Sequence, residues 1–159
     1  MGPERLVFEK PEARLLRSRS EEVQALQEDL LITITCFFRD LQSFEALQGR
    51  GLPDLFKRQG PTESVRVWVP ACATGEEAYS LAIHLLEEAG HADVSPGLQL
   101  FATDMASDAI AHGREGRYPE STEADISEER LDRFLRRRAG TTACLLASER
   151  WLCLPTMTC

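Results

Sequence analysis

The run Val65-Arg66-Val67-Trp68-Val69-Pro70, followed by Ala71-Cys72-Ala73-Thr74-Gly75-Glu76-Glu77-Ala78-Tyr79-Ser80, constrains the fold more than any other stretch of this chain. It predicts a buried strand, a tight turn of small residues and the start of an amphipathic helix. Such a unit opens a Rossmann-like α/β domain, in which the backbone must approach a ligand at the carboxyl end of the strand. Pro70, Ala71, Cys72, Ala73 and Gly75 leave room for that approach.

Two carboxylates, Glu76 and Glu77, follow where a phosphate-binding turn would present bare amides. A diphosphate would be repelled there, and a cationic, phosphate-free cofactor would be attracted. S-adenosylmethionine, with a sulfonium and a ribose, has that chemistry. A dinucleotide dehydrogenase is disfavoured on the same ground.

The helix after the turn carries Ala78, Leu81, Ala82, Leu85, Leu86 and Ala89 at the spacing of one apolar face, with Gly90 expected as its C-cap. Leu98 to Thr103 predicts a second strand, ending at Asp104. Ser107 is expected to cap a short helix that Gly116 and Pro119 stop, and Ser127 another, with Leu131, Phe134 and Leu135 as its buried stripe. Upstream, residues 1–19 are rich in arginine and expected to be exposed. Ser20 is expected to cap a helix through Val23, Leu26 and Leu30. Phe44 and Leu47 extend a second helix that Gly49, Gly51 and Pro53 are expected to break.

After Arg138 the character changes. Residues 139–159 hold only Glu149 and Arg150 as charges, together with three of the five cysteines, and no helix or strand pattern of useful length is legible. The segment reads either as an apolar tail or, preferably, as translation in a different frame.

Asp104 is the sharpest candidate for chemistry. A carboxylate at the end of the second strand of such a unit can accept from both ribose hydroxyls, or can cap the next turn. Glu77 has two readings as well. Thr74-Gly75-Glu76-Glu77 matches a capping box, and a carboxylate held at a helix N-terminus is also placed for a ligand. Arg39, with Thr33 and Thr35 upstream, forms a small polar group at a helix junction. His84, His91 and His112 are isolated, so no catalytic triad is legible, and Arg133 with Arg136 to Arg138 reads as a cationic helix end. The cysteines lack metal-ligand spacing, and no metal is expected.

The net charge of −8 argues against nucleic acid as a partner, and no apolar run approaches a membrane span. The first ten residues lack the apolar core of a secretory signal, so a cytoplasmic location is expected.

Together, Thr35-Cys36-Phe37-Phe38-Arg39-Asp40, Val67 to Ser80, Phe101 to Asp104, and Gly116 to Ser121 with Asp125 to Ser127 resemble the CheR-type chemotaxis receptor methyltransferases. The likeness is greatest to the branch found in hybrid methylesterase/methyltransferase proteins, and extends over about residues 20 to 137. It implies a partial class I methyltransferase core, α/β and Rossmann-like, preceded by a short helical segment. With the compositional readings, the expected division is an exposed or disordered lead over 1–19, a remnant of a helical N-terminal domain over 20–57, the first part of an S-adenosylmethionine-binding methyltransferase domain over 65–138 and an atypical tail, read as out of frame, over 139–159. It also implies methyl transfer from S-adenosylmethionine to glutamate side chains of chemotaxis receptors. The implied cofactor positions are Thr33, Thr35, Arg39, Glu77 and Asp104, with Arg39 at the active site. The family's longer N-terminal domain, later strands and receptor-docking part are not recognisable here, which suggests a truncated member. The alternative is a non-catalytic remnant serving as a nucleotide-binding or interaction module.

Overall fold

Val65 and Val69 point into the core while Arg66, Trp68 and Pro70 face solvent, and this alternation sets the first strand, β1, over Ser64–Pro70. The structure is a computed structural model that describes residues 35–58, 64–91, 97–149 and 152–154. The chain divides into two units, Met1–Ile32 and Thr33–Cys159, and every described residue lies in the second. The expectations for the lead segment, for a helix from Ser20 and for Thr33 fall outside the described residues.

β1 pairs in parallel with β2 (Gly97–Thr103), from Ser64 opposite Gly97 to Pro70 opposite Thr103. A parallel pair needs a crossover, and this one includes the helix Glu76–His91. That helix buries Ala78, Tyr79, Ala82, Ile83 and Leu85 completely, whereas Leu81, Leu86 and Ala89 of the six expected positions are only partly buried. It runs through Gly90, which therefore lies inside the helix rather than capping it. On the other edge of β2 lies a short strand, Leu152–Cys153, also parallel. The strand at Leu98 to Thr103 is thus central in a three-stranded parallel sheet, as the expected Rossmann-like α/β core requires.

Numbered in chain order among the described residues, the helices are α1 (Leu41–Ala46), α2 (Leu52–Arg58), α3 (Glu76–His91), α4 (Ser107–Glu115) and α5 (Glu128–Phe134). Gly49, Gly51 and Pro53 do not break the segment after Leu47. A π-turn over Leu47–Gly51 carries α1 into α2, with the Leu52 N–H reaching back to the Leu47 carbonyl. Pro53 then sits in the first turn of α2, where a missing N–H is tolerated.

A second, antiparallel sheet has the order β3-β5-β4, made of Arg117–Pro119, Thr141–Cys144 and Leu135–Arg138. The expectation that no strand lies beyond Arg138 is corrected here, because β5 is the middle strand of this sheet and β6 (Leu152–Cys153) completes the parallel one. Thr142, Cys144, Leu146, Leu152 and Leu154 are all buried. Short strands with partners distant in sequence leave little local periodicity to read. Arg136 to Arg138 likewise lie in β4 rather than at a helix end.

Two caps agree with expectation. Ser127 accepts the Arg130 N–H, and Gly116 closes α4 at a left-handed φ of 57°. Ser107 does not cap α4; Ala106 holds the cap position, and its N–H is bonded by Asp104.

Candidate functional site

The turn after β1 is built on backbone that side chains rarely adopt. Ala71, Ala73 and Gly75 have φ of 55°, 47° and 96°. Alanine held in this region is strained, and such strain persists only where surrounding contacts over-determine it. Here the contacts are visible. The Cys72 N–H donates to the Thr103 carbonyl at 3.1 Å, and the Gly75 N–H donates to the Cys72 carbonyl at 2.8 Å. The Ala73 N–H donates to Asp104 Oδ2 at 2.8 Å. A Cβ on Gly75 would come within 3.3 Å of both the Tyr118 hydroxyl and the Tyr79 ring.

Two buried tyrosines brace this turn. Tyr118 donates to the Thr74 carbonyl at 2.8 Å and Tyr79 to the Gly113 carbonyl at 2.6 Å. Burial pushes both phenols well above their ordinary range, so they remain protonated donors. Neither role was legible in the sequence, although both tyrosines belong to stretches the resemblance had marked.

Asp104 is buried and holds two amides, since its Oδ1 also accepts the Ala106 N–H at 2.9 Å. An ionised carboxylate has about four acceptor sites, so two backbone bonds leave capacity for ligand hydroxyls. The turn-capping reading of Asp104 is therefore correct as structure and compatible with binding. The bond to Ala73 has a further consequence. An amide that a phosphate-binding turn would offer to its ligand is occupied by the protein's own anion.

The adjacent glutamates separate. Glu76 is buried and accepts the Thr74 hydroxyl at 2.6 Å, whereas Glu77 is exposed. The capping box between Thr74 and Glu77 is accordingly replaced by a Thr74–Glu76 bond, which leaves Glu77 available to a cleft. The Cys72 thiol responds to this charge. Burial first, then the Asp104, Glu77 and Glu76 carboxylates, push its pKa up to about 11.

That cleft, about 640 Å³, has Arg39, Asp40, Ser43, Phe44 and Leu47 along one wall and Glu77 with Leu81 along the other. Asp40 caps α1, accepting the Ser43 N–H at 3.2 Å and the Ser43 hydroxyl at 2.6 Å. Of the expected positions, the structure brings Arg39 and Glu77 to one cleft and Asp104 to the neighbouring turn. Thr35 is half-buried and is not part of the cleft wall. Ser80 was missed. Its hydroxyl accepts the Phe38 N–H at 2.9 Å and donates to the Glu76 carbonyl at 2.7 Å, joining the Phe-Phe-Arg junction to the turn. A serine on an otherwise apolar helix face was the signal.

A small-residue turn ringed by carboxylates, with its amide already bonded to one of them, suits a cationic cofactor without phosphates. The sequence model of the family described as CheR methyltransferase, SAM binding domain matches residues 33–149. The chain belongs to this family, whose domain binds S-adenosylmethionine. The match runs past Arg138, where the resemblance was expected to end, and takes in β5.

Individual relatives agree. The chain is 36% identical over 126 residues to an uncharacterised 104.1 kDa protein in the hypE 3' region of Rhodobacter capsulatus, covering 79% of this chain and 13% of that protein. It is 36% identical over 103 residues to chemotaxis protein methyltransferase 1 of Pseudomonas aeruginosa, covering 63% of this chain and 37% of that one. It is 34% identical over 122 residues to the chemotaxis protein methyltransferase of Salmonella typhimurium, with 76% and 39% covered. The chain thus spans well under half the length of these relatives. No described helix is long and apolar enough to cross a membrane.

Proposed function

We propose that this chain is the cofactor-binding part of a cytoplasmic protein-glutamate O-methyltransferase acting on chemotaxis receptors. The observation that carries the reading is the Ala73–Asp104 bond beside the Arg39–Glu77 cleft, which favours a sulfonium nucleoside over a phosphorylated one. S-adenosylmethionine, when bound, supplies a methyl group on a positively charged sulfur. The remaining tasks belong to the protein.

Asp104 offers its outer lone pairs to the ribose hydroxyls while its inner ones hold the turn. Glu77 contributes negative charge at the cleft, and Thr33 and Thr35 are further cofactor positions implied by the family resemblance alone. Arg39 orients the incoming glutamate carboxylate. A glutamate carboxylate is ionised at neutral pH and would accept the methyl group without a proton having to move, so the chain's residues would have only to hold and align the two partners. Acceleration then rests on alignment and exclusion of water.

The 159-residue chain by itself is not expected to methylate receptors. Alignment to within about 1 Å is needed for efficient transfer. Among the described residues the parallel sheet has three strands, and β1 pairs on one side only.

Calorimetry on the chain with S-adenosylmethionine and NAD, and a base-labile methyl assay with receptor membranes, test the reading. Binding of the sulfonium cofactor without methyl transfer is expected. Preference for NAD would overturn the cofactor assignment. Binding of neither would leave the non-catalytic remnant, and transfer at the rate of a complete relative would refute the proposed inactivity.

A further inference from the structure

Phe38, the residue before Arg39, has a left-handed φ of 51° and is held from three helices. Ser80 on α3 accepts its N–H at 2.9 Å. Phe44 on α1 meets its ring edge-on, with centroids 5.9 Å apart. From α5, the Arg130 guanidinium lies over the ring, 4.4 Å from its centroid.

The guanidinium is itself oriented. Its Nε and Nη2 donate to the two Glu87 oxygens, each at 2.8 Å, in a fork that is only 21% exposed on the arginine side and 18% on the glutamate side. Charge-assisted bidentate pairs are geometrically specific, unlike exposed ion pairs. His84 fills the remaining side. Its ring meets Phe38 edge-on at 5.3 Å, and its Nδ1 lies 2.6 Å from Gln48 Nε2 and 3.3 Å from Arg130 Nη2.

Neither Arg130 nor Glu87 lines the cleft, whereas Arg39 does. A residue at an unfavourable φ relaxes when its restraints are removed, and relaxation at Phe38 redirects the residue that follows it. We infer that Arg130, oriented by Glu87, is a positioning residue for the cofactor cleft: it clamps the Phe38 ring and so sets the direction in which Arg39 leaves the backbone. This rests on the function proposed above.

The competing role is a plain staple between α3 and α5, which would affect stability alone. Titration of the 159-residue chain with S-adenosylhomocysteine, combined with thermal melts, separates the two. Arg130→Ala is expected to bind at least about tenfold more weakly. Arg130→Lys should recover part of the affinity, since it keeps a cation over the ring but not the fork. Arg137→Ala, which removes a distant exposed bridge to Glu123 and Glu128, should leave affinity unchanged.

The Arg39 Nε–Hε signal of the ligand-free chain, assigned with Arg39→Lys, is expected to move in Arg130→Ala and stay in place in Arg137→Ala. This arm needs no cofactor, so a wild-type chain that fails to bind sinks the functional reading without deciding the clamp. An unmoved Arg39 signal in folded Arg130→Ala overturns the inference, as does affinity within twofold of wild type. Should Arg130→Ala not fold, Glu87→Gln, which keeps the shape and loses the charge, is held to the same two outcomes.

Discussion

The Asp104 carboxylate accepts the Ala73 N–H at 2.8 Å, across 31 positions of sequence, and thereby fastens the end of β2 to the turn after β1. One side chain both restrains a left-handed alanine and presents a negative charge beside the strand ends. Substitution at Asp104 is therefore expected to have two separable effects.

Asp104→Ala removes two hydrogen bonds to a buried carboxylate, and bonds of this kind contribute about 1.5–3 kcal/mol each before relaxation. A loss of roughly 2–4 kcal/mol in unfolding free energy is expected by urea titration. Cofactor affinity should fall by more than in Glu76→Ala, whose carboxylate is committed to Thr74. Equal affinity losses in the two variants, measured by calorimetry, would remove the ribose role.

Gly116 and Gly140 both have positive φ, at 57° and 74°, but only Gly116 is crowded. A Cβ there would lie 2.5 Å from the Ala147 Cβ, whereas nothing lies within 4 Å at Gly140. Gly140→Ala should cost about 1 kcal/mol, from backbone strain alone. Gly116→Ala should cost about 2–4 kcal/mol, because the methyl must also displace the Leu145–Ser148 turn. Melting curves that coincide for the two variants would contradict the contact.

Removing residues 139–159 deletes β5, the middle strand of one sheet, together with the edge strand β6 of the other. It also removes the buried side chains of Leu146, Leu152 and Leu154, each of a kind whose truncation to alanine alone typically costs about 2–5 kcal/mol. The shortened chain is expected to lose cooperative melting or to melt more than about 5 °C lower. A melt equal to that of the full chain would show that these strands contribute nothing.

His84 is buried, and its pKa is lowered to about 4, by burial first and by the Arg130 cation second, with Glu87 opposing. The unfolded chain takes up a proton near pH 6.5 while the folded chain stays neutral to about 4. Its contribution to stability is thus present above about pH 6.5 and is lost as pH falls towards 4. The loss should be on the order of 3 kcal/mol across that window. His84→Leu should flatten this part of the stability–pH profile; an unchanged slope between pH 4 and 6.5 would assign the dependence to other groups.

The β1–turn–α3–β2 unit was legible because each piece is written locally. Valines at every second position, small residues where the backbone turns, and an apolar face at helical spacing need no distant partner to be recognised. Ser127 and Gly116 were legible for the same reason, since a cap bonds within its own turn. Other features depend on partners far along the chain. Glu76 and Glu77 are identical neighbours in sequence, and only packing decides that one is buried against Thr74 and the other faces Arg39's cleft. The residues after Arg138 show no period of their own, because β5 and β6 are strands by virtue of Arg117–Pro119, Leu135–Arg138 and β2. Arg130 carries no signal in the sequence, because no local pattern encodes a contact with Phe38 that exists only once three helices have met.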